Sequence, residues 1–457
     1  MQIIILGAGQ VGGSLATHLA NEDNDVTVVD TDSRRLELLQ DRLDLRTLTG
    51  FASHPQTLAH AGAKDADMII AVTNSDEINM MACQVARQIF NVPKKIARVR
   101  EQDYLDCRDQ MFGADAVPVD VLISPEALVT KRLENTLKHP GALQVLDFAD
   151  GKVQLVAVKV AFGGQVAGRE IANVRERLGA DLRIVAIFRG SRSIFPRADT
   201  VIEVDDELFF VADRKHIREI IHAICPDHSP YRRLLIAGGG NIGAQLASHT
   251  EGNARVKLIE RDIARCKLLA QRVTGTTVLH GSATDPDLML AEGIENTDAF
   301  IAVTNDDESN IMASLLAKKL GARTVITLIN NPIYVDVIQG EQIDIAISPQ
   351  QSTIGALLTY VRRGDVVAVH SLRRGAAEAL EAVAHGTQES SQVVGRRIGD
   401  LSLPEGTTFG AVVRGRSVMM AHDDIVIADG DHLIVFLADK TALRRVEKLF
   451  QVGLGYF

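Results

Sequence analysis

Tryptophan is absent from the 457 residues, and aromatic side chains make up only 4% of them. The cores must therefore be aliphatic, and a hydrophobic share of 46% against 24% charged residues is the ordinary balance of a globular chain. Cysteine is scarce. Cys83, Cys107, Cys225 and Cys266 are scattered, and no two have the C-x-x-C spacing of a redox or zinc motif. They are expected to be reduced core thiols in a cytosolic protein, with no metal site. No run of about 18 consecutive apolar residues occurs, so no segment is expected to span a membrane. The chain opens on the aliphatic run Met1-Gln-Ile-Ile-Ile-Leu6, with no leader pattern expected. An excess of positive charge is also missing. The formal net charge is −10, which argues against a nucleic-acid partner.

Catalytic signatures are missing too. No P-loop, no H-E-x-x-H and no Y-x-x-x-K after any of the five tyrosines is present. No residue stands out as an acid or base beside a bound nucleotide.

What the chain does contain is a repeat. Ile4-Ile-Leu-Gly-Ala-Gly-Gln-Val-Gly12 returns as Leu235-Ile-Ala-Gly-Gly-Gly-Asn-Ile-Gly243, an offset of 231 residues from Gly7 to Gly238. The same offset carries Ile70-Ala-Val-Thr-Asn74 onto Ile301-Ala-Val-Thr-Asn305, and Asp76, Glu77, Asn79, Met81 and Ala82 onto Asp307, Glu308, Asn310, Met312 and Ala313. The chain is a tandem duplication. Each half begins with aliphatic runs alternating with amphipathic stretches, the pattern of βαβ units around a parallel sheet. In the first half, strands are predicted near Gln2–Leu6, Asp25–Val29, Thr47–Leu48, Met68–Val72 and Lys95–Val99. Each half ends in short strands. In the first, these are predicted at Val153–Val160, Ile184–Phe188, Thr200–Val204 and Glu207–Ala212, with a helix near Lys215–Ile224. Gly168-Arg-Glu-Ile171 and Asp205-Asp-Glu-Leu208 echo in Gly395-Arg-Arg-Ile398 and Gly430-Asp-His-Leu433. The expected fold class is α/β: two Rossmann-like doubly wound parallel-sheet domains, each followed by a small α+β subdomain. Boundaries are expected near Pro226–Tyr231 and Gly364, which divides the chain into 1–137, 138–230, 231–363 and 364–457.

The glycines carry the chemistry. Gly7, Gly9 and Gly12 follow a strand and open a helix, and Asp30 lies 23 residues after Gly7 at the end of the next strand. Gly7 allows a tight turn, Gly9 lets a pyrophosphate approach the backbone, and Gly12 lets helix and strand pack closely. The helix start offers free N–H groups and a positive dipole end, which suit phosphate; the loop there reads Gly7-Ala8-Gly9-Gln10-Val11. Asp30 can accept from ribose hydroxyls and would repel a 2′-phosphate, which favours NAD(H) over NADP(H). The second loop offers Gly238, Gly239, Gly240, Asn241, Ile242 and Gly243, with Glu260 lying 22 residues after Gly238. Thr73-Asn74 and Thr304-Asn305 follow a strand end, where they can contact a nucleotide or serve as helix caps. Arg98 and Arg100 alternate on one strand end and can reach phosphate or lie on a solvated edge. The second half has Leu328-Ile-Asn330 there, without arginine.

Together, Ile5-Leu-Gly-Ala-Gly-Gln-Val-Gly12, Asp30, Ile70-Ala-Val-Thr-Asn74, Ala97-Arg-Val-Arg100 and the trailing small subdomain resemble the RCK (or KTN) family, cytosolic regulators of potassium channels and transporters. The resemblance covers essentially the whole chain, in two complete copies. It implies NAD(H) at a first site formed by Gly7 to Val11, Asp30, Thr73, Asn74 and Arg98. It implies NAD(H) or ADP/ATP at a second formed by Gly238 to Ile242, Glu260, Thr304 and Asn305. It also implies a homo-oligomer, a dimer or tetramer, docked from the cytosol on a Trk-type potassium-transporting membrane subunit. Phe51 and Ser282 depart from the family, which often has Asp after the preceding glycine. An NAD-dependent oxidoreductase and a scaffold with vestigial loops are the alternatives.

Overall fold

The computed structural model describes residues 1–451 apart from 23, 114, 115, 191, 332, 333, 335–342, 362–365, 373–376, 440 and 441. The boundary expected at Gly364 lies outside the described residues. The chain forms two compact units. One is Met1–Leu128 with Ser352–Leu357; the other is Val129–Gln351 with Leu358–Phe457.

The first unit holds strands β1 (Gln2–Leu6), β2 (Asp25–Asp30), β3 (Arg46–Thr49), β4 (Met68–Ala71), β5 (Lys94–Arg98) and β6 (Val121–Ile123). They form one parallel sheet in the order β3-β2-β1-β4-β5-β6. Ile3, Ile4, Ile5 and Leu6 are at most 2% exposed, so β1 is covered on both faces, as unalternating aliphatic runs require. The helix Gln10–Ala20 lays Gly12, Leu15, Ala16 and Leu19 against the sheet. The sheet order reverses between β1 and β4, and Gly7 follows β1 at that switch point.

In the second unit, β7 (Ala142–Phe148), β8 (Val153–Lys159), β9 (Leu182–Arg189), β10 (Arg192–Ile194) and β11 (Glu207–Asp213) form an antiparallel sheet ordered β10-β9-β11-β8-β7. The second parallel sheet follows: β12 (Arg233–Ala237), β13 (Arg255–Glu260), β14 (Thr276–His280), β15 (Ala299–Ala302), β16 (Thr324–Leu328) and β17 (Ile345–Ile347), ordered β14-β13-β12-β15-β16-β17. The last sheet, β18 (Val366–Leu372), β19 (Ala377–Val383), β20 (Thr407–Arg414), β21 (Ser417–Met420) and β22 (His432–Leu437), runs β18-β19-β22-β20-β21.

The two antiparallel sheets share one core, in which Phe148, Phe209 and Val211 meet Leu372, Ala379 and Phe436. The Phe209 and Phe436 rings lie 6.4 Å apart. Gly410 has no room for a side chain, because a Cβ there would come within 2.8 Å of Val211. Each antiparallel sheet also repeats one polar lock. Arg189 grips the buried Asp206 through Nε and Nη2 at 2.8 and 2.9 Å, and Arg414 grips the buried Asp431 at 2.8 Å through both.

Two expectations are corrected. Thr200–Val204 is not a strand: only Val201 pairs, in an isolated bridge with Glu170. Its β-branched residues sit beside the tight turn at Asp205, whose φ of 70° ends extended pairing. Cys107 is exposed rather than a core thiol, because it caps two short surface helices; Cys83, Cys225 and Cys266 are buried. Strand β7 also forms where the sequence pattern predicts none.

Candidate nucleotide-binding sites

Both glycine loops adopt one backbone. Gly7 and Gly238 have φ of +108°, a region open to glycine and costly for other residues. A Cβ on Gly12 would come within 1.9 Å of the Gly7 carbonyl oxygen, and one on Gly243 within 1.9 Å of the Gly238 oxygen. Those two glycines are close-packing positions. Gly9 and Gly240 are the opposite: a Cβ on Gly9 would approach only Arg35 Nη1, at 3.9 Å, and one on Gly240 would meet nothing within 4 Å. The backbone is therefore open in front of each helix start. Gly9 and Gly240 are the caps of their helices and offer no side-chain acceptor. The helices that start at Gln10 and Asn241 begin beside that space, and a helix start carries N–H groups with no acceptor in its own helix.

The two acids brace the loops. Asp30 Oδ2 accepts from the Ala8 N–H at 2.6 Å and Oδ1 from the Asp32 N–H at 2.8 Å. Glu260 does the same with the Gly239 and Asp262 N–H groups, at 2.9 and 2.8 Å. Each carboxylate oxygen keeps further acceptor capacity. Asp30 is half-buried, while Glu260 is 9% exposed. Leu269 first, and the longer acid after it, leave Gly239 no room for a side chain. A Cβ on Gly239 would come within 2.4 Å of Leu269 and 3.0 Å of Glu260 Oε2, whereas Ala8 is accommodated over the shorter Asp30.

The residues after β4 and β15 are positioned by an asparagine that sequence reasoning saw repeat but assigned no role. Asn79 and Asn310 are fully buried. Asn79 Oδ1 accepts from the Thr73 N–H and hydroxyl at 2.9 and 2.7 Å, and its Nδ2 donates to the Arg98 carbonyl at 2.9 Å. Asn310 repeats this on Thr304, at 2.9 and 2.6 Å, and on the Leu328 carbonyl at 3.0 Å. The Thr73 and Thr304 hydroxyls thus serve the turn, while Asn74 and Asn305 are exposed at the strand ends. Ser75 and Asp306 are the actual caps of the helices that follow.

Arg98 ends β5 and is half-buried, while Arg100 lies beyond the strand end and is held elsewhere. Arg100 Nη2 folds back to the Asn74 carbonyl at 2.5 Å, and Nε lies 3.7 Å from Asp76 Oδ1. Arg98 Nε, Arg100 Nε, Asp76 Oδ1 and Glu126 Oε2 are buried atoms without a hydrogen-bond partner. Arg98 and Glu126 also attract each other electrostatically, as do Arg98 and Asp76. Burial pushes the Arg98 guanidinium down, and the neighbouring Arg100 charge pushes the same way. Burial pushes the Glu126 carboxyl up, against the pull of Arg98 and Arg100. Among the described residues, no acid, base or nucleophile stands at either loop in the arrangement that hydride or group transfer needs.

The TrkA-N domain model matches residues 3–120 and 234–349, and the TrkA-C domain model matches 155–224 and 387–451. The chain belongs to the TrkA family. The Trk system potassium uptake protein TrkA of Halomonas elongata is 58% identical over 458 residues, covering 100% of each chain. That of Vibrio alginolyticus is 54% identical over 452 residues, covering 99% of each. Among solved structures, the GsuK channel bound to NAD superposes with a TM-score of 0.60 at 17% identity, covering 98% of this chain and 78% of that one. The duplication read from the sequence is thus a double TrkA-N/TrkA-C arrangement. Membership makes the chain a regulatory component of potassium uptake and not an enzyme, which removes the oxidoreductase alternative. No helix among the described residues is long and apolar enough to cross a membrane.

Proposed function

We propose that the chain is a nucleotide-sensing regulatory subunit that docks, as a homo-oligomer, on the cytosolic face of a Trk-type potassium-transporting membrane subunit and gates its uptake. The observation that carries this reading is the pair of open glycine loops. Gly9 and Gly240 leave space before a helix start, Asp30 and Glu260 brace the floor, and no reacting group stands there among the described residues. Such a site binds without turning its ligand over. The first loop takes NAD(H), through Gly7 to Gly12, Asp30, Asn74 and Arg98, with Thr73 shaping the turn. The second takes NAD(H) or ADP/ATP, through Gly238 to Gly243, Glu260 and Asn305, with Thr304 in the turn. The working division is 1–137, 138–230, 231–363 and 364–457.

A ligand shifts a two-state assembly only by its unequal affinity for the two states. Couplings of about 1–3 kcal/mol per site are typical, and repeated sites multiply them. The test is potassium flux into vesicles holding the membrane subunit, with and without this protein, under NAD, NADH, ADP and ATP. Flux is expected to need the protein and to follow the nucleotide. Flux indifferent to both removes the reading. Flux that needs the protein but ignores Asp30→Ala and Glu260→Ala keeps docking and removes nucleotide gating.

A further inference from the structure

Doubly wound sheets take ligands at the carboxyl ends of their strands. In the second parallel sheet, the opposite edge has its own chemistry. An open pocket of about 750 Å³ lies there, at the size of small-molecule sites, and four arginines line it. Arg232 and Arg233 stand at the start of β12, Arg255 at the start of β13, and Arg323 just before β16. Gly238 follows the far end of β12, so this pocket is not the glycine-loop site.

Two carboxylates stand in the lining against four guanidinium groups, which leaves an excess of positive charge. Glu251 is occupied by the Thr274 and Gly275 N–H groups at 3.2 and 2.9 Å and by the Thr276 hydroxyl at 2.8 Å. Asp298 Oδ2 accepts from the Arg232 and Arg233 N–H groups at 2.8 Å, and its Oδ1 lies 3.5 Å from both Arg233 Nη2 and Arg323 Nη1. Arg323 is further fixed over the Tyr231 ring at 5.5 Å and on the Ser229 carbonyl at 2.8 Å. Arg232 and Arg255 are left exposed, with no side-chain hydrogen bond or ion pair among the described residues. Arg233 and Arg255 are also register neighbours, so like charges stand side by side across adjacent strands.

The first copy shows that the fold does not need these arginines. Its equivalent register pair is Gln2 and Asp25. Met1 and Pro93 stand where the second copy has Arg232 and Arg323. The acid alone is kept: Asp67 accepts from the Gln2 N–H at 2.8 Å, as Asp298 does from Arg233. Four guanidinium groups have thus been gathered at one edge of one copy, in a chain whose net charge is −10.

We propose that this edge is a second kind of binding site, for a phosphate-bearing anion. Arg232 and Arg255 form the open clamp, and Arg233 and Arg323 are held behind it by Asp298. The planar guanidinium fork matches phosphate oxygens in pairs, and the ligand relieves the like-charge repulsion. A soluble polyphosphate and an anionic phospholipid headgroup share this chemistry.

The experiment uses the full chain carrying Gly9→Val and Gly240→Val, which blinds the glycine loops. Inorganic triphosphate is titrated by calorimetry, and co-sedimentation is measured with phosphatidylcholine vesicles with and without phosphatidylglycerol. Saturable binding that weakens with salt and drops at least tenfold in Arg232→Gln/Arg255→Gln is expected. Loss of triphosphate binding in that variant identifies a soluble anion; loss of vesicle binding alone identifies a headgroup. Neither side chain has a partner to lose, so thermal unfolding of the variant is expected to match its parent. Absence of both kinds of binding, or binding that the variant leaves undiminished, overturns the proposal.

Discussion

At the first glycine loop stand Arg98, Arg100 and Glu126; at the second, the same places hold Leu328, Asn330 and Gln350. The backbone beneath them is held alike. Asp76 Oδ2 accepts from the Arg100 and Glu101 N–H groups at 2.7 and 2.8 Å, and Asp307 Oδ2 from the Asn330 and Asn331 N–H groups at 3.0 and 2.7 Å. In the second copy Asn330 Nδ2 also satisfies Asp307 Oδ1, at 3.0 Å. In the first, Asp76 Oδ1 has no hydrogen-bond partner and only the Arg100 guanidinium at 3.7 Å. Duplication therefore preserved the bracket and freed the charge. The buried Asp and Asn fix the turn in both copies, and the side chains around it are charged in one and neutral in the other. The two loops should differ in which anion they prefer while sharing one mode of failure.

The shared failure gives the largest expected effect. Gly12→Val and Gly243→Val would each drive a side chain into a carbonyl oxygen, at a cost of about 3 kcal/mol or more. Thermal unfolding should fall by similar amounts in the two variants; a much milder effect in one copy would mean that its loop is not packed as described. Next comes the open glycine. Gly9→Val should keep the fold yet weaken nucleotide binding at the first site by about a hundredfold, or ~2.7 kcal/mol. Gly240→Val should do the same only at the second site, and calorimetry on the two variants separates the sites.

The charge difference is tested by exchange. Arg98→Leu should cost the first site about tenfold in affinity for a phosphate-rich nucleotide, the scale of one charge-assisted hydrogen bond. Leu328→Arg should move the second site toward the first. Unchanged affinities in both would place the difference elsewhere.

The smallest effect is a pH dependence. The Glu126 carboxyl is raised above 4.5 by burial. The folded state thus holds its proton more tightly than the unfolded state. The stabilising contribution is full below pH 4.5 and is lost as pH rises through the raised value. Glu126→Gln, which copies the second site, should leave stability unchanged in acid and raise it by less than about 1 kcal/mol near neutrality. Denaturant midpoints across pH 4 to 8 provide the check, and a variant that is less stable at pH 7 would show that Glu126 is held by its arginines more than it is penalised by burial.

Much of this was legible before any coordinates. The duplication, the parallel sheets and the two loop acids are written in near-neighbour patterns: a glycine triplet after an aliphatic run, and an acid 23 or 22 residues on. Thr73 and Thr304 were legible as residues but not as actors. Their hydroxyls could face a ligand or the chain, and the choice rests with Asn79 and Asn310, six residues on and one turn into the next helix. Arg100 reads as a partner of Arg98 by strand alternation. That alternation stops when β5 ends at Arg98 and the Asp76 carboxylate captures the next turn.

By itself, the sequence determined that the chain is two copies of one plan, because hydrophobic periodicity and the steric needs of glycine are local and leave the same letters wherever they act. Tertiary structure alone decided which polar groups were spent and which were left open. Arg232 with Arg233, Arg255 and Arg323 come from three separate stretches of chain, and only parallel register brings them to one edge. Asp298 then neutralises some of that charge and leaves the rest to solvent or a ligand. Spacing along a chain fixes what a residue can do locally. Whether its charge is already matched depends on partners from other strands, and no local pattern records them.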